Sequence, residues 1–177
     1  MEHITLGQGL IFFMDGVNNN VTYLCDRWRV IMKYFTKQWY RDCQRSQGIF
    51  LRKKLRDQTQ KVVEKYAKYY EQLEQRLPEN IKKISSNDIH DGKIVSSGFY
   101  GQDFHMAIDP ISCRSSIKKI IFLNVEILKF DSYPENACWL YEEIYMQQNR
   151  YEMHILFWSK EGKLNEIIIS FDDVKID

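Results

Sequence analysis

The hydrophobic pattern changes its period near the middle of the chain. Between residues 32 and 77, apolar residues recur mostly at steps of three or four, as in amphipathic helices. A first helix is predicted to begin after Thr36, a suitable N-cap, and to end near Gly48. Pro78 ends the second helix because proline cannot continue a helix interior. The apolar series of that second helix comprises Leu51, Leu55, Val62, Tyr66, Tyr69, Leu73 and Leu77.

The pattern after residue 84 is that of a β-sheet, because β-branched and aromatic residues dominate and turn residues recur. Short turns between successive strands predict an antiparallel meander. The expected fold is therefore α+β, with an N-terminal helical pair followed by about five or six strands and with the helices packed on one face of the sheet. Strands are predicted at Lys93–Tyr100, Phe104–Ile108, Ile117–Phe130, Ala137–Met146, Tyr151–Trp158 and Leu164–Phe171.

The same pattern predicts the domain organisation. Residues 1–31 lack clean periodicity and are interpreted as an atypical, weakly structured extension. Residues 32–84 form the helical segment and residues 85–177 form the sheet. Together, residues 32–177 are expected to be one folding unit, since a chain of this length is sufficient for one domain.

Turn positions predict which side chains share a face of the sheet. A two-residue turn at Gln148-Asn149 sets Glu143 opposite His154 and Trp139 opposite Trp158. A second turn, at Glu161-Gly162, sets His154 opposite Ile169. The predicted first face then holds Trp139, Tyr141, Glu143, Tyr145, Glu152, His154, Leu156, Trp158, Ile167, Ile169 and Phe171.

Both predicted faces are too apolar for simple exposure to solvent. The second face holds Leu140, Glu142, Ile144, Met146, Tyr151, Met153, Ile155, Phe157, Leu164, Glu166 and Ile168. We expect the helices to cover this more aliphatic face. The first face is then expected to be partly open, or to be covered by a partner or by the N-terminal segment.

The pair Glu143–His154 is the candidate for catalysis. A carboxylate beside an imidazole can orient the ring and raise its pKa, which general acid–base chemistry uses. The plainer interpretation is a cross-strand ion pair in a half-buried sheet. No nucleophile is placed beside the pair, so no reaction follows from it.

His90-Asp91-Gly92 is a second candidate feature, since His and Asp can bind metals or act together as acid and base. Adjacent residues in an extended strand point to opposite faces, which argues against joint action. Asp-Gly is more simply interpreted as a tight turn that leads into the first long strand. No spacing typical of a metal site is present, and no cofactor is predicted.

Charge is distributed unevenly, although the net charge is only +1. Residues 41–68 contain nine basic and three acidic residues, whereas residues 124–177 contain five basic and eleven acidic ones. The basic helix could contact phosphates, or it could be a solvated face that balances the acidic sheet. No recognition motif for DNA or RNA is visible, so nucleic-acid binding remains the less favoured interpretation.

The expected location is the cytoplasm. The four cysteines are widely spaced and form no C-x-x-C pair, which is typical of reduced thiols. The apolar stretch Leu10–Met14 is too short for a signal-peptide core, and no stretch approaches the roughly 20 apolar residues of a membrane span.

Several phrases along the chain resemble an uncharacterised domain-of-unknown-function family from Firmicutes such as Bacillus. Residues 32–40 read Met-Lys-Tyr-Phe-Thr-Lys-Gln-Trp-Tyr, similar to the phrase with which members of that family begin. Further similar phrases are Leu77–Ile81, Ile89–Ile94, Trp139–Tyr145 and Tyr151–Leu156, in that order. The family has no established activity, so the resemblance implies no catalytic residue.

These observations favour a small protein that binds another protein without catalysis. An aromatic, acidic sheet is similar to the surfaces of immunity proteins, and it suits a basic, toxin-like partner. The alternatives are an enzyme that uses Glu143 and His154, and a nucleic-acid-associated protein that uses the basic helix of residues 41–68. The predicted binding surface comprises Trp139, Tyr141, Glu143, Tyr145, Glu152, His154 and Trp158.

Overall fold

The computed structural model describes residues 31–44, 49–86, 89–109, 111–113 and 115–177. Within them the chain forms three helices followed by eight strands. The predicted extension, residues 1–31, lies almost entirely outside the described residues. The elements are α1 Lys37–Gln44, α2 Ile49–Glu74, α3 Glu79–Ser86, β1 Lys93–Tyr100, β2 Asp103–Asp109, β3 Lys119–Leu123, β4 Glu126–Phe130, β5 Cys138–Gln147, β6 Arg150–Trp158, β7 Leu164–Phe171 and β8 Asp173–Ile176.

The predicted helices form for the expected local reasons. The Thr36 side-chain oxygen accepts a hydrogen bond from the Trp39 N–H at 3.1 Å, so Thr36 is the N-cap of α1. Helix α2 ends before Pro78, as the proline predicts. The stretch after Pro78 forms a third helix, α3, which the predicted helical pair did not include. Its apolar signal is only Ile81 and Ile84, one turn apart, and both are buried.

All eight strands belong to one antiparallel sheet in the order β4-β7-β6-β5-β1-β2-β3-β8. The α+β class and the antiparallel sheet are confirmed. The predicted meander of five or six strands is matched only in part, because the sheet has eight strands and only β1–β2–β3 and β5–β6–β7 follow one another in it. The predicted strand Ile117–Phe130 is two strands, because Asn124 lies at φ 52° and turns the chain. The last strand, β8, pairs with β3 at one end of the sheet while β7 pairs with β6 and β4.

Register in the β5–β6 hairpin is largely as predicted. Gln147 lies opposite Arg150 and Glu143 lies opposite His154. A bulge between Trp139 and Tyr141 breaks the alternation, so Trp139 faces Phe157 rather than Trp158.

The β6–β7 connection differs from the predicted two-residue turn. Trp158 pairs with Leu164, which leaves five residues in the loop, and His154 therefore faces Ile168 rather than Ile169. Because side chains alternate along a strand, this shift of one residue moves all of β7 to the opposite faces. Ile167, Ile169 and Phe171 thus belong with the second face.

The helices contact both faces of the sheet, which corrects the expectation that they cover one. One cluster joins Met32 and Phe35, and side chains of α1 and α2, to Leu140, Leu156 and Leu164. The larger core joins the C-terminal part of α2 and α3 to the other face, where Trp139, Phe157 and Phe171 are buried. Each Å² of apolar surface that is buried stabilises the fold by about 25 cal/mol, and this contribution holds the layers together.

Candidate functional site

Glu143 is completely buried, and its carboxylate is bound by the backbone. It accepts hydrogen bonds from the N–H groups of Lys33, Tyr34 and Phe35 at 2.8, 2.7 and 2.6 Å. The Tyr145 hydroxyl donates a fourth at 2.5 Å. Hydrogen bonds to an ionised carboxylate are roughly twice as strong as neutral ones. Glu143 therefore fixes the segment that precedes α1 onto the sheet.

His154 faces Glu143 across the β5–β6 pair but has different partners. Its Nε2 lies 3.3 Å from an Oε atom of Glu152, and its ring lies 4.7 Å from the Tyr145 ring, centroid to centroid. Its Nδ1 is buried and makes no hydrogen bond within the described part of the chain. Glu143 and His154 thus lie opposite each other as the register predicts. The Glu143 carboxylate, however, binds the backbone of the segment before α1.

Most of the predicted binding surface lies inside the protein. Trp139, Tyr145 and His154 are buried like Glu143, and Glu152 is partly buried. Residues 32–44 and α2 cover Glu143, Tyr145 and His154, whereas the bulge places Trp139 in the larger core on the other face, so the face is closed at these residues. Tyr141 is half-buried, and Trp158 keeps 41% of its surface exposed.

Within the part of the chain that the structure describes, the edge of β5 that points away from β6 is only partly paired with another strand. Strand β1 pairs with β5 at a single register position, Lys93 opposite Cys138. Beyond it, α2 lies beside β5, and the Ile144 N–H donates to the Tyr66 hydroxyl at 2.9 Å. A helix over a sheet edge satisfies groups that would otherwise attract another strand.

A cleft of about 360 Å³ opens at this edge. It lies at a strand edge, so side chains from both faces of β5 contribute to it. Aromatic rings come from the segment before α1, from α2 and from β5, and polar groups come from the end of α3 and the turn before β1. Its lining residues are Phe35, Tyr66, Ser85, Ser86, Ile89, His90, Leu140, Tyr141 and Glu142.

A tight turn holds His90 at the cleft, as the Asp-Gly pair predicts. Asp91 lies at φ 63°, and the Gly92 N–H donates to the Ile89 carbonyl at 2.7 Å. A Cβ atom on Gly92 would lie 2.7 Å from the Ile89 carbonyl oxygen, so the close approach requires glycine. The His90 Nδ1 lies 2.5 Å from the Leu140 carbonyl oxygen. Because a carbonyl only accepts, Nδ1 is the donor of this bond, and Nε2 lies 3.8 Å from an Oδ atom of Asp91.

The carboxylates of Glu142 and Asp91 contribute to raising the pKa values of the tyrosines that line the cleft. Burial, and then the charge of Glu142, raise the pKa of Tyr66 well above its ordinary value. Burial raises the pKa of Tyr141, with a further contribution from Asp91. Glu142 itself is oriented by Trp139, whose Nε1 donates to an Oε atom at 2.8 Å. The hydroxyls of both tyrosines therefore stay protonated at neutral pH.

Sequence reasoning missed most residues of this cleft. Tyr66 belongs to the apolar series of α2, and helical spacing does not distinguish a core residue from one that lines a cleft. Phe35 and Glu142 had no partner that sequence spacing could identify. His90 and Tyr141 were both noted as candidates, but for different sites, because the turn and β5 come together only through the β5–β1 pairing.

The architecture defines an α+β protein built on one eight-stranded antiparallel sheet. Residues 49–170 match the family model described as protein of unknown function, DUF4085, and the chain belongs to that family. The matched range excludes residues 32–40. No curated protein and no solved structure matches the chain.

Two further findings concern the described residues alone. None of their helices is both long and apolar enough to cross a membrane. None of their His, Cys, Asp and Glu side chains gather in groups of three or more that could hold a metal ion.

Proposed function

We propose that the protein is a non-catalytic protein-binding module whose partner docks at the cleft beside β5. The observation that carries this proposal is the cleft itself, in which three aromatic rings and a few polar groups surround a partly unpaired strand edge. Concave sites with mostly apolar walls and a few convergent polar groups are the usual places for ligand binding.

An aromatic strip extends the docking surface beyond the cleft. The Tyr40 ring lies 6.3 Å from Tyr141, which lines the cleft, and 6.3 Å from Trp158, which is exposed. Tyr and Trp side chains carry much of the energy in protein interfaces. Of the residues predicted for binding, Tyr141 and Trp158 are therefore the two retained in this proposal.

The alternatives receive less support from the geometry. Glu143 is held by four donors and does not line the cleft, so we do not propose that it acts with His154 in catalysis. Helix α2 has exposed basic side chains, including Lys61 and Lys65, but Glu64 and Glu71 are exposed among them. This mixture is typical of a solvated helix face rather than of a phosphate-binding stripe.

The proposed partner is another protein, and an immunity-like role, in which the module covers a basic toxin, is the form that the acidic sheet half favours. Site-specific photo-crosslinking in the native host tests the docking site. A benzoylphenylalanine replaces Ser86, which is exposed in the cleft, and Glu126 on β4, which is exposed elsewhere, is the control position. We expect a discrete adduct with one protein at position 86 and none at position 126.

The crosslinked protein is then purified and titrated calorimetrically against the full chain. Trp158→Ala should weaken its binding by about tenfold or more, as truncation of an exposed interface aromatic does. Identical adducts at both positions, or an affinity unchanged by Trp158→Ala, would contradict the proposal.

A further inference from the structure

We propose that strand β1 accepts an additional strand from a partner protein. The added segment is an extended peptide that places an aromatic side chain over Gly98 and a glutamate side chain toward Lys119. None of the residues involved lines the cleft beside β5, so this inference goes beyond the proposed function. Three features of β1 and its neighbours support it: an unpaired edge, a groove beside that edge and a lysine at the end of the groove.

The edge of β1 that points away from β2 is largely unpaired. Strand β2 pairs with β1 along its whole length, from Lys93 to Tyr100. On the other side, β5 pairs with β1 at Lys93 alone, and the backbone of Ile94 bonds to the loop before β5. No strand of the described part of the chain continues this pairing over residues 95–100, which we call the free edge. An unpaired edge is a template for another strand.

Alternation along the strands identifies the backbone groups that the free edge offers. The Ile108 N–H donates to the Lys118 carbonyl, so Ile108 directs its backbone groups away from β1. Met106, two positions earlier, does the same, and it lies opposite Ser97. Ser97 therefore directs its N–H and C=O away from β2, and so does Phe99, two positions further along β1. These residues offer two donors and two acceptors at the spacing of an antiparallel ladder.

A groove of about 350 Å³ lies beside the free edge, on the face of β1–β3 opposite the buried Phe104 and Phe122. Gly98 leaves room at its centre, since an added Cβ atom there would meet nothing within 4 Å. Tyr100 forms one end; it is 70% exposed, and its ring lies 4.6 Å from the His105 ring, centroid to centroid. An aromatic side chain opposite Gly98 would fill the gap and contact the exposed Tyr100 ring. Cross-strand aromatic residues stabilise edge glycines in this way.

Lys119 forms the other end of the groove. It lies in one row with Ser96 and Ala107, whose side chains are small. Asp177 pairs with Lys119 through the backbone, but none of the ion pairs among the described residues includes Lys119. None of the described residues that line the groove is Asp or Glu. Charge complementarity therefore favours an acidic side chain in the partner.

The row fixes where that acidic side chain belongs. An added strand would lie three strand spacings from β3, about 14 Å. A glutamate opposite Ser96 and the lysine of Lys119 can span this distance when both extend over Ala107. In an antiparallel arrangement the residue opposite Gly98 precedes the one opposite Ser96 by two positions. The partner segment is therefore of the form aromatic-x-Glu, and its main chain supplies the remaining contacts.

The test titrates the full, isotopically labelled chain with the peptide acetyl-Thr-Thr-Phe-Thr-Glu-Thr-amide. We expect the backbone amide signals of Ser97, Gly98 and Phe99 to shift. N-methylation of the threonine between phenylalanine and glutamate removes the N–H that reaches the Ser97 carbonyl, and it should weaken binding by about fivefold or more. N-methylation of the phenylalanine, whose N–H points away from β1, is the matched control and should leave binding intact.

Two variants of the chain test the side-chain contacts. Gly98→Val fills the groove and should abolish the preference for phenylalanine over alanine at the central peptide position. Lys119→Gln should remove the preference for glutamate over glutamine in the peptide, which we expect to be about two- to fivefold. Lys175→Gln, exposed on β8, is the matched control and should keep that preference.

Three outcomes would overturn the inference. The first is a set of shifts confined to the cleft beside β5, and the second is equal binding of the two N-methylated peptides. The third is a concentration-dependent shift of Ser97 and Phe99 without peptide, which would show that a second copy of the chain occupies the free edge. Crosslinking at position 86 tests the other surface, so each proposal can fail while the other stands.

Discussion

Glu142 and Glu143 are neighbours in β5, and their surroundings differ completely. Glu143 points into the protein, where three backbone amides and the Tyr145 hydroxyl bind its carboxylate. Glu142 lies at the cleft, where Trp139 orients it. Because side chains alternate along a strand, Glu143 is directed into the core, where it stabilises the fold, and Glu142 is directed to the other side of β5. Two carboxylates that are adjacent in sequence therefore need not act together, because adjacent side chains of a strand lie in different surroundings.

The largest effect on stability is expected from a substitution of Glu143, the buried member of the two. Glu143→Gln replaces an oxygen with an NH₂ group that faces backbone N–H donors, so buried donors lose their acceptor. We expect the free energy of unfolding to fall by about 3 kcal/mol or more. Urea denaturation measures it. The matched variant Glu142→Gln should change it by less than about 1 kcal/mol. Equal losses in the two variants would show that Glu143 has no special role in stability.

The turn that holds His90 provides the next test. Gly92→Ala places a Cβ atom 2.7 Å from the Ile89 carbonyl oxygen and 3.2 Å from the Cys113 sulfur. We expect a loss of about 1–3 kcal/mol in thermal or urea unfolding, since the backbone must move.

Gly98→Ala is the control for this effect, because a Cβ atom there meets nothing within 4 Å. Its stability should stay within about 0.5 kcal/mol of the parent chain. If Gly92→Ala is equally neutral, the turn does not require glycine, and the fixed placement of His90 loses its basis.

A smaller effect is expected where α2 covers the edge of β5. Tyr66→Phe removes the hydroxyl that accepts the Ile144 N–H, at a cost of about 1 kcal/mol. The Ile144 amide should then exchange with solvent faster than in the parent chain, as hydrogen exchange monitored by NMR would show. Tyr70→Phe, on the same helix, should leave that exchange rate unchanged. Unaltered protection of Ile144 in Tyr66→Phe would mean that the hydroxyl does not satisfy this edge.

The last effect is absent at neutral pH and appears only at alkaline pH. Burial, and then the charges of neighbouring groups, raise the pKa of Tyr69 to about 12, and burial also raises the pKa of Tyr66 and Tyr145. An unfolded tyrosine ionises near pH 10, so the unfolded chain releases these protons first and the folded state loses stability as pH rises from about 10 through about 12. Urea midpoints across this range measure the loss. Tyr69→Phe should show a shallower decline, and an identical decline would contradict the role of this residue.

Local features of the fold could be predicted because their causes are local. Thr36 caps α1, Pro78 ends the α2 region, and the Gln148-Asn149 turn sets Glu143 opposite His154. The errors arose where one residue changes a register. The bulge beside Trp139 and the longer loop after Trp158 each reverse which face the neighbouring positions occupy. Neither the bulge nor the loop length was predicted from the residues around it.

The spacing of apolar residues and the turn residues were sufficient to predict an α+β protein with an antiparallel sheet. Both depend on residues that lie within a few positions of one another in the sequence. Tertiary structure alone decided the role of each residue. Glu143 became a buried anchor because residues 33–35, more than a hundred positions earlier, deliver their amides to it. The cleft exists because Phe35, Tyr66, His90 and Tyr141, which are far apart in sequence, meet where β1 stops pairing with β5. Contacts over such separations depend on the packing of the whole sheet, so no segment of the sequence encodes them by itself.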